Sequence, residues 1–92
     1  MKSKRWEEIS FILRSPLSRR ILECLISSER PLTVVEISKL TNIARSNIST
    51  KFIELKKRKL VECKNPESKK FRFYEITKKG KEIMKEVEKV KK

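Results

Sequence analysis

The stretch TVVEISKLTNIARSNISTKFIELKKRK, residues 33–59, decides the fold. Thr33 and Glu36 have the spacing of a capping box, in which each side chain satisfies an orphan backbone donor at a helix start. A brief helix to about Leu40 then buries Val34, Ile37 and Leu40. Thr41, Asn42 and Ile43 interrupt the apolar pattern, and a longer helix runs over about 45–58. Ile48, Phe52 and Leu55 form its inner stripe. The opposite side carries Ser46, Thr50, Ile53 and Lys57, flanked by Ser49, Asn47 and Glu54. Ser, Asn and Thr are indifferent helix formers, because their side chains compete with the backbone for hydrogen bonds. Something other than helix propensity accounts for that face.

Outward from this pair the elements are simpler. Residues 4–13 place Trp6, Ile9, Ile12 and Leu13 at helical spacing. Ser15 and Pro16 make a restart signal, a cap followed by Pro at the first helical position. The helix they open runs to about Ser27 and buries Leu17, Ile21, Cys24 and Leu25. Pro31 and Leu32 suggest a short strand. Residues 60–64 and 71–77, rich in β-branched and aromatic side chains, read as two strands around the turn NPESKK. The hairpin tip is basic, with Lys69, Lys70 and Arg72. Thr77 can cap a last helix, whose narrow stripe is Ile83, Val87 and Val90. No repeat or linker divides the chain. The expectation is one domain over 1–92, with a terminal helix at 4–13, a core at 15–77 and a second terminal helix at 78–92. The fold class is mainly α with a small β-hairpin (α+β).

Composition bounds the function. The net charge of +13 comes from 25 Lys and Arg against 12 acidic residues, all Glu. Such an excess favours a polyanionic partner. More than half of it, +7, falls in residues 44–74, where ten basic side chains face three acidic ones. No apolar run is long enough to span a membrane and no signal-peptide pattern is present, which predicts a cytoplasmic protein. There is no His and no Asp, the sole Gly is Gly80, and Cys24 and Cys63 have no partner ligands or base. An enzyme, a metal site and a cofactor are therefore not expected. The two cysteines read as buried, reduced thiols, with a disulfide within or between chains as the alternative.

Two short-linked helices make a helix-turn-helix, whose second helix can lie in the DNA major groove. That accounts for the polar face of residues 45–58, since base edges demand short donors and acceptors. Asn47 can bond an adenine edge, Ser46, Ser49 and Thr50 can reach bases or phosphates, and Arg45 can pair with guanine or phosphate. Lys51 and Lys57 complete the set on this helix, and Lys69, Lys70 and Arg72 extend it. Ile53 could touch a thymine methyl or sit at a partly buried edge. Lys78, Lys79, Lys81 and Lys85, interleaved with Glu82, Glu86 and Glu88, read as a solvated face.

The segment VVEISKLTNIARSNISTKFIELKKRKLVE, followed by FRFYEITKKG, resembles the winged helix-turn-helix transcription regulators of the MarR and ArsR type. It is most similar to their small single-domain archaeal members. The resemblance implies that residues 45–58 are a recognition helix, and that the hairpin is a wing with its basic part at 64–72, reaching flanking backbone or minor groove. It implies a homodimer on palindromic double-stranded DNA, built by the terminal helices. Trp6, Ile9 and Ile12 with the stripe Ile83, Val87 and Val90 supply apolar surfaces for it, the alternative being that the stripe packs back on its own domain. It does not carry over an effector, since the family's metal-sensing cysteine clusters are missing and the core is small. Where such proteins commonly have Ser or Thr this chain has Ala44, a poor cap, and where they have Gly it has Lys59. The alternatives are a protein-binding adaptor or a protein that coats DNA without sequence preference.

Overall fold

The computed structural model describes residues 3–91, so residues 1, 2 and 92 lie outside it. Five helices and one hairpin follow in the order α1 (Ser3–Leu13), α2 (Pro16–Ser28), α3 (Val34–Thr41), α4 (Arg45–Lys57), β1 (Val61–Cys63), β2 (Tyr74–Ile76) and α5 (Lys78–Lys91). The protein is thus mostly helical, with a two-stranded antiparallel sheet.

Local chemistry sets most boundaries. The Ser15 hydroxyl accepts from the amide of Ser18 at 3.3 Å, with Pro16 opening α2. Thr33 and Glu36 exchange the two bonds of a capping box, at 2.9 and 3.1 Å. Thr77 Oγ1 accepts from the amide of Gly80 at 3.0 Å and so caps α5. The close of α4 is equally local. Lys59 takes a left-handed φ of 63°, and the amides of Lys59 and Leu60 donate back to the carbonyls of Lys56 and Leu55. That is the Schellman pattern, in a residue type that accepts this backbone less readily than Gly.

One apolar cluster connects every element. Ile9 and Ile12 of α1, Ile21, Leu22 and Leu25 of α2, Ile37 of α3, and Ile48, Phe52 and Leu55 of α4 meet Leu60, Val61, Tyr74 and Ile76 of the hairpin and Ile83, Met84 and Val87 of α5. The second helix is the hub, touching α1, α3, α4, β2 and α5. Leu32 forms a single bridge to Tyr74, so the segment before α3 adds one residue to the sheet. Phe52 and Tyr74 stack with centroids 4.2 Å apart and planes 13° from parallel, which ties the hairpin to α4.

Three expectations change. Leu40 is 64% exposed, whereas Ile37 and Thr41 point inward. At 100° per residue Leu40 lies roughly 80° from the centre of that inward row, and Thr41 can enter the core because its hydroxyl donates to the Ile37 carbonyl at 2.6 Å. The strands are shorter than 60–64 and 71–77. Beyond the Lys64 amide, which donates to the Phe73 carbonyl, the Asn65 side chain takes over the ladder. Its amide donates to the Phe71 carbonyl and its oxygen accepts from the Phe73 amide, both at 2.8 Å. Third, Ile9, Ile12, Ile83 and Val87, four side chains expected at a dimer surface, are buried in the chain's own core, because α1 packs against α5. Only Trp6 and Val90 of that set remain exposed.

Candidate nucleic-acid interface

The turn between α3 and α4 is held by short bonds from both sides. Asn42 adopts a left-handed φ of 66° and its amide donates to the Ser38 carbonyl at 2.7 Å. The Ser38 hydroxyl donates to the Ile43 carbonyl and Arg20 Nη2 to the Thr41 carbonyl, each at 2.6 Å. Ile43 is buried beneath the turn. The geometry fixes the direction in which α4 leaves α3, and its inner row then decides which face looks outward.

Nine of the expected contact residues are exposed on that outward side: Arg45, Ser46, Asn47, Ser49, Thr50 and Lys57 on α4, and Lys69, Lys70 and Arg72 on the hairpin arm; Lys51 is half-buried. Thr50 donates its hydroxyl proton to the Ser46 carbonyl at 3.0 Å, leaving its oxygen lone pairs outward as acceptors. Ala44 precedes α4 with no side-chain cap; the Asn47 amide donates to the Ala44 carbonyl at 3.0 Å, which leaves the Arg45 and Ser46 amides without a protein acceptor among the described residues.

The structure brings part of this set together. Ser49, Lys57 and Arg72 line one cleft between α4 and the hairpin, over the Phe52–Tyr74 stack. Ser49 and Arg72 also line a second cleft, with Lys69 and Lys70, against the start of α3. Arg45, Ser46, Asn47, Thr50 and Lys51 line neither cleft. Successive steps of 100° put Asn47 and Lys51 on the flank of α4 turned away from the hairpin.

The cations of this face have no carboxylate partners. Arg45, Lys51, Lys56, Lys57, Lys69, Lys70 and Arg72 form no ion pair among the described residues, and no acidic side chain lines either cleft. Arg5, Arg19, Arg30, Arg58, Lys64 and Lys79 have carboxylate partners, whereas Arg14, Arg20, Lys39, Lys59, Lys78, Lys81, Lys85 and Lys89 pair with none among the described residues. Glu8, only 6% exposed, accepts from Arg58 at 3.1 Å and from Lys79 at 3.3 Å. Arg58 also bonds Glu54 at 3.1 Å and lies over the Phe11 ring at 4.0 Å. Lys64, inside the hairpin, is held above its ordinary pKa by a hydrogen bond from its ammonium to Glu75, with Glu62 adding to the effect.

Two residues of this face are not among those expected. Lys56 lines the first cleft, and its place seven residues after Ser49 and three after Ile53 is the signal that assigns it there. Phe71 lines the second cleft. Alternation of Phe71 and Phe73 with Lys70 and Arg72 is a basic and aromatic interleaving that a strand reading absorbs. Ile53 is exposed on the same face.

No protein-family model matches this chain, and no curated protein sequence is significantly similar to it. Among the described residues, no group of three His, Cys, Asp or Glu could hold a metal, and no helix is long and apolar enough to cross a membrane. Cys24 and Cys63 are both free thiols, half-buried, and burial pushes the Cys24 thiol up from its ordinary pKa.

Proposed function

We propose that this protein is a sequence-specific double-stranded DNA-binding regulator of transcription with a winged helix-turn-helix fold, and not an enzyme. In this reading α4 is the recognition helix in the major groove, and the arm between β1 and β2 is the wing on flanking backbone or minor groove. The observation that carries it is the run of seven cations on α4 and the arm with no carboxylate partner, while Arg58 and Lys79 close by are paired. Unpaired like charges at close range raise the free energy of the folded chain unless a polyanion completes them. Short polar side chains between them supply the groups that read base edges. As a DNA-bound protein it would reside in the cytoplasm with the nucleoid.

A symmetric homodimer on a palindrome fits the small size of the chain, and Trp6 on α1 and Val90 on α5 are the exposed apolar side chains of the terminal helices that support it. No small-molecule effector is part of the reading. A second reading, an adaptor for another protein, rests on exposed Ile53, which a purely polar groove reader would not need; a coat on DNA without sequence preference would need only the unpaired cations.

Selection of bound sequences from a random duplex library distinguishes them. The expected result is an enriched palindrome, with log affinity falling against log salt at a slope near −5 to −9, from roughly 6–10 neutralised phosphates per dimer. Asn47→Ala with Thr50→Ala relaxes the preference, whereas Lys69→Ala with Lys70→Ala weakens all duplexes alike. Salt-insensitive binding, or none, sinks the DNA reading; binding without enrichment leaves the coat.

A further inference from the structure

We infer that Phe71 is a stacking group for a nucleobase that has left its place in the duplex at the edge of the bound site. The inference rests on the DNA reading above and adds to it a ligand that the polar face of α4 does not address. Phe71 is 63% exposed and Phe73 37% exposed, interleaved with Lys70 and Arg72 and next to Lys69, on an arm whose one carboxylate, Glu67, pairs with none of the three cations. An exposed Phe forgoes the burial free energy that a core position supplies. Phe71 is not exposed because its arm is loose. Its carbonyl accepts from the Asn65 side chain, the amide two residues on donates to the same side chain, and Arg72 Nε between them donates to the Ser68 carbonyl at 2.7 Å. The ring therefore stands on a backbone braced on both sides.

The surroundings select the occupant. Lys69, Lys70 and Arg72 have no carboxylate partner, so a purely apolar partner would have to desolvate three cations without compensation. An unstacked nucleotide meets both demands, because its base has a π-face and its phosphate a negative charge. Apolar side chains entering between base steps part them in this way. Phe has no donor or acceptor for a base edge, so the contact responds to how easily a step opens rather than to which base it holds. Since Phe71 and Ser49 line one cleft, the opened step adjoins the segment under α4.

The test titrates the full chain with two duplexes of one sequence, one fully paired and one carrying a single unpaired 2-aminopurine. The wild-type protein should prefer the second by roughly 5- to 150-fold, the range of one base–aromatic stack, and should quench the 2-aminopurine fluorescence. Phe71→Ala and Phe71→Leu should each lose that preference, with unchanged melting temperature and unchanged salt slope on the paired duplex. Equal wild-type affinity for both duplexes, or a preference that survives Phe71→Ala, overturns the stacking role while leaving DNA binding intact. Failure to bind either duplex overturns both.

Discussion

Substituting Gly80 sets two physical effects against each other, and they differ in sign. Gly80 is the third residue of α5, and Ala in a helix is favoured over Gly by roughly 0.5–1 kcal/mol. By propensity alone Gly80→Ala stabilises. The packing opposes this. A Cβ at this position would meet Ile76 Cγ1 at 2.7 Å, and the Leu60 carbonyl oxygen closer still. That oxygen cannot retreat freely, because it accepts from the Thr77 amide at 3.0 Å and shares the Thr77 hydroxyl proton with the Lys59 carbonyl, at 3.1 and 2.8 Å respectively. These bonds join the start of α5 to the start of β1. Overpacking costs about 1–3 kcal/mol, and a clash against a backbone oxygen falls in the upper part of that range, about 2–3 kcal/mol, so net destabilisation of about 1–2.5 kcal/mol follows once the propensity gain is subtracted. For a domain of this size the melting midpoint falls by roughly 4–20 °C. Urea and thermal unfolding followed by circular dichroism measure both quantities, with Lys81→Ala, an exposed neighbour in the same helix, as the control. A Gly80→Ala protein as stable as the wild type, or more so, refutes the close-approach argument.

Three further outcomes follow from other local features. Ala44→Ser supplies the cap that α4 lacks and should raise stability by about 1 kcal/mol in urea unfolding; no gain would mean that the first turn is already satisfied. Glu8→Ala removes the carboxylate shared by Arg58 and Lys79, and should cost about 1–3 kcal/mol, below a fully buried pair because both cations reach solvent. A loss under roughly 0.5 kcal/mol would class it with exposed pairs. Glu36 is held below its ordinary pKa, first by the Thr33 amide and then by Arg30. Its contribution is therefore present above the unfolded value, about pH 4.3, and is lost as pH falls through the folded pKa. The stability difference between wild type and Glu36→Gln should shrink in acid, and a difference that grew there would reverse the sign.

What could be read from the sequence was whatever local chemistry decides. Ser15 with Pro16, Thr33 with Glu36, and Thr77 announce helix starts through bonds made within three residues, and all three form. The inner row Ile48, Phe52 and Leu55 is likewise a property of one helix. Failures begin where a second element decides. Periodicity marks Ile9, Ile12, Ile83 and Val87 as a stripe seeking a partner, but cannot say whether that partner is another chain or the other terminal helix. Leu40 against Thr41 was decided by the direction of α2 and by a backbone acceptor for a hydroxyl. The hairpin ended early because one Asn side chain replaced strand pairing. As for the candidate site, the polar face of α4 and the basic arm were legible from residue types. The way Ser49 and Arg72 share two clefts, and the exposure of Phe71, depend on how the hairpin leans on Phe52.

Charge alone does not mark an interface in this chain, and the run Lys56, Lys57, Arg58 shows why. By sequence the three are equivalent cations at the end of one helix. In the structure Arg58 is held by Glu8, Glu54 and the Phe11 ring, so it anchors α4 to α1 and is already neutralised. Lys56 and Lys57, on the outer side, have no such partner. The difference comes from the helical step, which turns Arg58 toward the flank where α1 brings its carboxylate. It also gives α4 two separable sets of residues. One set, with Ile48, Phe52, Leu55 and Arg58, holds the helix in place; the other carries unneutralised charge and short polar groups that contribute little to folding. Losing a cation from the second set relieves like-charge repulsion, so it should leave stability unchanged or slightly raised while weakening a polyanionic ligand. Losing Arg58 should do the opposite, unfolding the protein more readily with little change in the salt slope per folded molecule. That inversion between neighbouring basic residues is a sharper expectation for this face than its net charge.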